Sequence, residues 1–147
     1  MVPCRLLPLL FLAACGTGRF YYHDLEVPPM AFEQVWSEVQ AVAALHGYQR
    51  DPKVTDDGLR IYQSKWKTRT FGFGNTERTR VRAEVERPKD KPTGWLVRFY
   101  VERQTVKDFA KAMDPEEKDW SSNGQHKGVE ELMDAQLRRR LALETGG

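Results

Sequence analysis

The sequence predicts an α+β fold, a two-layer sandwich in which an antiparallel sheet of about four or five strands carries two helices on one face. Two segments repeat their apolar residues at steps of three and four, as amphipathic helices do. Several others alternate apolar and polar residues, as half-buried strands do. Each element therefore has one apolar surface to bury, and the order β-α-β-β-β-β-α lets the helices and the sheet cover each other.

The predicted helices cover residues 30–46 and 127–143. The apolar stripe of the first consists of Phe32, Val35, Trp36, Val39, Val42 and Ala43, and that of the second of Val129, Leu132, Met133, Leu137 and Leu141. In the second helix Glu130 comes early and Arg138 to Arg140 come late, which matches the helix dipole. Both segments are therefore predicted to pack one face on a core.

Strands are predicted over residues 19–27, 48–55, 59–70, 78–87 and 95–103. The last two alternate most regularly and are predicted to form a hairpin. In the first of these, Val81, Ala83 and Val85 face one way, and the arginines and glutamates between them face the other. Residues 104–125 show no clear period, and only a helical turn or two is indicated there.

The composition is that of a folded domain. Of the 147 residues, 40% are hydrophobic and 30% are charged, which excludes a disordered chain and a polytopic membrane protein. The formal charge is only +2, from 23 basic and 21 acidic side chains. A net charge this small gives no general attraction to nucleic acid.

The N-terminus has the layout of an export signal. Arg5 is followed by the apolar run Leu6 to Leu12, which is far shorter than the roughly 20 residues that a permanent membrane span needs. The run ends in Leu12-Ala13-Ala14-Cys15. This tetrapeptide resembles the lipobox of bacterial lipoprotein signal peptides.

The resemblance implies that the Cys15 thiol receives a diacylglycerol and that cleavage after Ala14 removes residues 1–14. The mature protein would then comprise a lipidated tether (15–18), a single α+β domain (19–143) and a frayed tail (144–147). In the sorting rule of this family, Gly16 favours the periplasmic side of the outer membrane. Two alternatives remain open: an ordinary signal peptide that leaves a soluble domain, and a hydrophobic N-terminal segment buried in the fold.

No catalytic motif is present, and an enzyme is not predicted. His23, His46 and His126 are spread over three elements at no metal-ligand spacing. The mature chain has no cysteine besides Cys15, and the glycine-rich segment 72–74 lies between two predicted strands and lacks the pattern of a phosphate loop. No metal or cofactor is therefore expected.

Basic residues gather on the central strands, with eight basic and three acidic side chains in residues 58–87. The candidate face for an anionic partner consists of Arg80, Arg82, Arg98, Lys65 and Lys67. Lipid headgroups, cell-wall polymers or an acidic protein would suit such a face. The alternative is a solvated face on which the arginines pair with neighbouring glutamates.

These observations favour a non-catalytic binding or scaffold domain held at a membrane by acyl chains on Cys15. Its partner would be another envelope protein or an anionic envelope polymer, and nucleic acid is not expected. The alternative is a module in which the helices and a curved sheet enclose an apolar or anionic ligand. The arrangement loosely resembles the small α+β domains of accessory lipoproteins in outer-membrane assembly and lipopolysaccharide export, a likeness of fold alone.

Overall fold

The computed structural model describes residues 19–72 and 74–143. The strands are β1 (His23–Val27), β2 (Ile61–Gln63), β3 (Lys67–Phe71), β4 (Asn75–Glu86), β5 (Trp95–Val106) and β6 (Trp120–Gln125). The helices are α1 (Phe32–Leu45) and α2 (Lys127–Arg140), and single 3-10 turns lie at Phe109–Lys111 and Glu117–Asp119. The predicted signal peptide (1–14), tether (15–18) and tail (144–147) lie outside the described residues.

The long strands β4 and β5 form the centre of the sheet. They pair antiparallel, from Glu77 opposite Thr105 to Glu86 opposite Leu96. Each has two shorter antiparallel neighbours along its outer edge. Strands β1 and β6 pair with successive parts of β5, and strands β2 and β3 pair with successive parts of β4. The sheet therefore has six strands, close to the four or five predicted.

The period of two in a strand puts alternate residues of β4 and β5 on opposite sides of the sheet. One side carries the buried residues Val81, Ala83, Val85, Trp95, Val97, Phe99 and Val101. Both helices pack on this side, α1 through Val35, Val39 and Val42 and α2 through Met133 and Leu137. The predicted α+β sandwich with two helices on one face is confirmed.

The predicted strand at 48–55 is wrong. This segment contributes only an isolated bridge between Arg50 and Ser64. The Asp51 side chain accepts a hydrogen bond of 3.0 Å from the Lys53 backbone N–H, which closes a turn in place of extended pairing.

The predicted strand at 59–70 is two strands. Between β2 and β3 the Lys65 backbone N–H donates to the Gln49 carbonyl, 2.7 Å away, so the chain leaves β4 for a few residues before pairing with it again. This departure carries the side chain of Trp66 across the face of the sheet that the helices leave uncovered, where it meets arginines of β4.

Residues 104–125 contain a strand that the sequence pattern did not reveal. β5 continues to Val106, and β6 returns along it. The register shifts by one residue where the two strands meet near Gly124, which has a φ of +70°. Because β6 is an edge strand with mostly polar residues, it lacks the apolar alternation from which strands are recognised.

A side chain of α2 fills a gap in the pairing of β5. Between the stretch bound by β1 and the stretch bound by β6, the Val101 backbone N–H donates to Glu130 Oε1, 2.9 Å away. The same oxygen accepts a hydrogen bond of 2.7 Å from Gln125 Nε2, and Lys127 Nζ lies 3.1 Å from the other oxygen. This buried carboxylate therefore joins α2, β5 and the end of β6.

We expect Glu130→Ala to lower the free energy of unfolding by about 2–4 kcal/mol, because the buried Val101 N–H loses its acceptor and a cavity opens under α2. Glu131→Ala is the matched control, since Glu131 is the exposed neighbour on the same helix and should change stability by less than about 0.5 kcal/mol. Urea unfolding followed by circular dichroism measures both, and equal losses would contradict this role for Glu130.

Candidate functional site

The side of the sheet opposite α1 and α2 is the candidate functional site, here called the open face. It is formed by Tyr22, Asp24, Arg78, Arg80, Arg82, Glu84, Glu86, Arg98, Tyr100 and Glu102, with Phe20 and Trp66 lying over them. Residues 107–119 cover one end of it, where Thr76 Oγ1 donates to the Ala112 carbonyl at 2.6 Å. Of the side chains of the face, Arg78 and Glu102 are buried, Asp24 is exposed and the others are half-buried.

The arginines of the open face are paired with carboxylates of the same face. The shortest separations are Arg80 to Glu102 (2.7 Å), Arg82 to Glu84 (3.5 Å) and Arg98 to Asp24 (3.1 Å). Arg98 also lies 3.6 Å from Glu86. Because each guanidinium has a carboxylate beside it, the face offers little net positive potential to an anionic polymer.

Three aromatic rings and a guanidinium stack at the end of the open face nearest β1. Phe20 stacks on Tyr100 with ring centroids 4.8 Å apart, and Tyr22 meets Tyr100 edge-on at 5.2 Å. Arg98 lies 4.6 Å over the Tyr22 ring, and the Tyr22 hydroxyl donates to Glu84 at 2.8 Å. The strand residues therefore hold the first described residues of the chain against the sheet.

A second stack, at the other end of the open face, is centred on Arg78. Its guanidinium lies 4.3 Å from the centroid of Trp66 and 4.6 Å from that of Trp120. It donates to both oxygens of Glu117, at 2.7 and 2.5 Å, and to Gln104 at 2.8 Å. The Arg78 side chain is only 7% exposed, so its charge is satisfied within the protein.

The ionisation of these groups follows their surroundings. Burial raises the pKa of Tyr22, and its hydrogen bond to Glu84 raises that pKa further. Burial also raises the pKa of Tyr100. The hydrogen bond from Arg78 lowers the pKa of Glu117. At neutral pH both tyrosines are therefore neutral hydroxyls, and the carboxylate of Glu117 is charged.

The structure brings together three of the five residues predicted for an anionic partner, the arginines Arg80, Arg82 and Arg98. The inclusion of Lys67 is wrong: it lies opposite Thr79 on the helix side of the sheet, and its Nζ donates to the His46 carbonyl at 2.6 Å. Lys65 is exposed in the connection between β2 and β3. Cys15 and the lipobox residues Leu12, Ala13 and Ala14 lie outside the described residues.

The three histidines lie apart and contact side chains or backbone of α2. His23 Nε2 is 3.0 Å from Asp134 Oδ1, His46 Nε2 is 3.0 Å from Gln136 Oε1, and His126 Nδ1 accepts from Val129 N at 3.3 Å. Within the described ranges, no group of three or more His, Cys, Asp or Glu side chains is arranged to hold a metal ion. The helices described there include none with the length and apolar character needed to cross a bilayer.

The best-formed hollows of the described residues are depressions open to solvent. One lies beside the end of α1 and is lined by Gln40, Ala44, Gly47, Tyr48, Gln49, Arg50 and Tyr62. Another lies at the β4–β5 turn and is lined by residues that include Asp24, Glu86, Lys89, Lys91 and Arg98. An enclosed chamber of the kind that the ligand-binding alternative needs is not among them.

Sequence reasoning missed the stack of Arg78 between Trp66 and Trp120. The available signal was Trp120 itself, a large apolar residue within a polar stretch, which needs something to pack on. Its partner Trp66 is far away in sequence, and only the strand pairing brings the two together. No protein-family model matches the chain, and no curated protein is significantly similar to it.

We expect Arg78→Lys to lower the free energy of unfolding by about 1–3 kcal/mol, because an ammonium group cannot stack flat between two indoles while binding both oxygens of Glu117. Tryptophan emission should shift to longer wavelength as water reaches Trp66 and Trp120. Arg139→Lys, at an exposed position of α2, is the control and should change neither quantity. Unchanged stability and emission in Arg78→Lys would refute a structural role for the stack.

Proposed function

We propose that this protein is a membrane-anchored envelope lipoprotein whose domain is a non-catalytic binding module, with the open face as its docking surface for another envelope protein. The open face carries the proposal, because it combines tyrosine, tryptophan and arginine on a broad, half-exposed surface. These are the residue types enriched at the centres of protein interfaces. Their rotamers are already held by stacking and ion pairs, so docking would cost little side-chain entropy.

A protein partner suits this face better than an anionic polymer. Arg80, Arg82 and Arg98 already have carboxylate partners, so a polyanion would have to displace them or bind in spite of them. Alternating positive and negative groups instead favour a partner whose surface charges alternate in the complementary pattern. Such charge complementarity contributes more to specificity than to affinity. The lipobox at Leu12 to Cys15 supports the anchor, and Gly16 supports the outer membrane as its location.

We expect the full-length chain, expressed in a bacterial host, to fractionate with membranes and to carry an acylated N-terminal Cys15. Two or three acyl chains exceed the single chain that gives only marginal binding. In Cys15→Ala the thiol is gone, so that the variant should stay unprocessed or lose the lipid. Intact mass spectrometry and density-gradient fractionation measure both, and a soluble, unmodified wild type would rule out the anchor.

We expect a photo-crosslinking amino acid at Arg82 or Glu86 to capture one reproducible partner in living cells, because both positions lie on the open face. The same amino acid at Glu131 or Arg139, exposed positions of α2, is the matched control and should capture much less of that partner. Circular dichroism would show that each variant is folded. Equal capture from both sides of the sandwich, or capture from α2 alone, would count against docking at the open face.

A further inference from the structure

Three exposed apolar side chains gather at one end of the sheet, and we call them the apolar tip. They are Phe71, at the end of β3, and Phe109 and Met113, in the segment that follows β5. Their exposed fractions are 39%, 70% and 80%, which are large for residues of these types. Both segments are turns at the same end of the sheet, because Glu77 of β4 lies opposite Thr105 of β5.

The tip is built by contacts between its two segments. The Phe109 ring lies against Gly74, so closely that a Cβ there would come within 2.4 Å of the ring. Ala112 is buried, and its carbonyl accepts the hydrogen bond of Thr76. Because Ala112 holds the segment to β4 while Phe109 and Met113 remain exposed on either side of it, these two side chains project from a fixed support.

We propose that the apolar tip inserts into the surface of the bilayer that holds Cys15. This inference rests on the proposed lipid anchor and deepens it by giving the domain a second membrane contact and an orientation. A bilayer is the occupant that fits, because the tip is a projection formed by two turns, and projecting Phe and Met side chains enter the interfacial region of a membrane. Lys107 and Lys111 lie beside the tip, where long cationic side chains can keep their charges in the headgroup layer.

The anchor and the tip are within reach of one membrane surface. Cys15 precedes Phe20 by five residues, which span at most about 17 Å when extended. Phe20 lies over Tyr100, and six residues of β5, about 20 Å, separate Tyr100 from Val106 at the tip end of the strand. An extended tether therefore reaches the plane of the tip when the strands tilt by at least about 30° from the membrane normal.

The segment 107–119, which carries Phe109 and Met113, holds five acidic and three basic side chains, so the apolar side chains are the driving contact. Lys111 pairs with Asp119 at 2.9 Å, and Asp108 follows Lys107 in the chain. Attraction to anionic headgroups would need a surplus of basic residues that this end of the domain lacks. Insertion is therefore expected in zwitterionic phosphatidylcholine vesicles, and adding an anionic lipid should not strengthen it.

The chain offers a clean labelling experiment. Cys4 would leave with the signal peptide and lipid would block Cys15, so a single added cysteine is the only reactive thiol of the mature protein. Phe109→Cys and Met113→Cys report on the tip. Leu45→Cys and Leu132→Cys are the controls, because these leucines are similarly exposed, at 63% and 57%, on the two helices. Each full-length variant is expressed with its lipid, labelled with bimane and reconstituted in phosphatidylcholine vesicles containing a nitroxide-labelled lipid.

We expect bimane at positions 109 and 113 to be quenched at least about twofold more than bimane at 45 and 132, because shallow insertion brings the label to the depth of the nitroxide. Equal quenching at all four positions, in protein whose mass shows an acylated Cys15, would overturn insertion and leave the anchor standing. A blue-shifted tip label without lipid quenching would overturn it in favour of a protein contact. An unacylated mass would overturn the anchor and this inference with it.

Discussion

The pairing of β4 with β5 is the constraint on which the other features depend. Their alternation puts the valines of both strands on one side and the arginines, glutamates and Tyr100 on the other. A slip of one residue in one strand would move its arginines into the helix-covered core, at a cost in desolvation far above the stability of a small domain. The same register therefore fixes the hydrophobic core and the spacing of the open face. It also aligns the two turns that form the apolar tip.

The outer edge of each central strand is paired with two short strands in succession. A short chain can therefore form both the sheet and the helical layer. β1 and β6 share one edge of β5, and the Glu130 carboxylate satisfies the backbone N–H of Val101 between them. The Gln125 side-chain amide donates to that carboxylate and to the Tyr21 carbonyl, and its oxygen accepts from the Tyr21 backbone N–H. The first described residues, β6 and α2 are thus fixed to one point on β5, and the proposed lipid tether would join near it.

The fold class followed from local patterns, whereas the site depended on contacts between distant residues. The stripes of α1 and α2 and the alternation of β4 were readable because burial on one face imposes a period on the sequence. Edge strand β6 has no such period, since three of its six residues are exposed and none is fully buried. The open-face arginines were predictable from alternation, but their pairing with Glu102, Glu84 and Asp24 depends on a register that no local pattern gives. Lys67 was misplaced for the same reason, because β3 begins anew after the departure at Lys65.

A lipid alone would leave the domain free to rotate above the membrane, and a second contact at the apolar tip would remove much of that freedom. With the tip at the bilayer, β4 and β5 would extend outward from the membrane surface. The open face would then stand at a steep angle to the membrane plane and face the space beside the domain. A partner held in the same membrane would then meet this face at high effective concentration and in one orientation. Under the proposed anchoring, a balanced face with modest affinity would be sufficient, because the membrane would supply proximity and the paired arginines and stacked aromatic rings would need to supply only recognition.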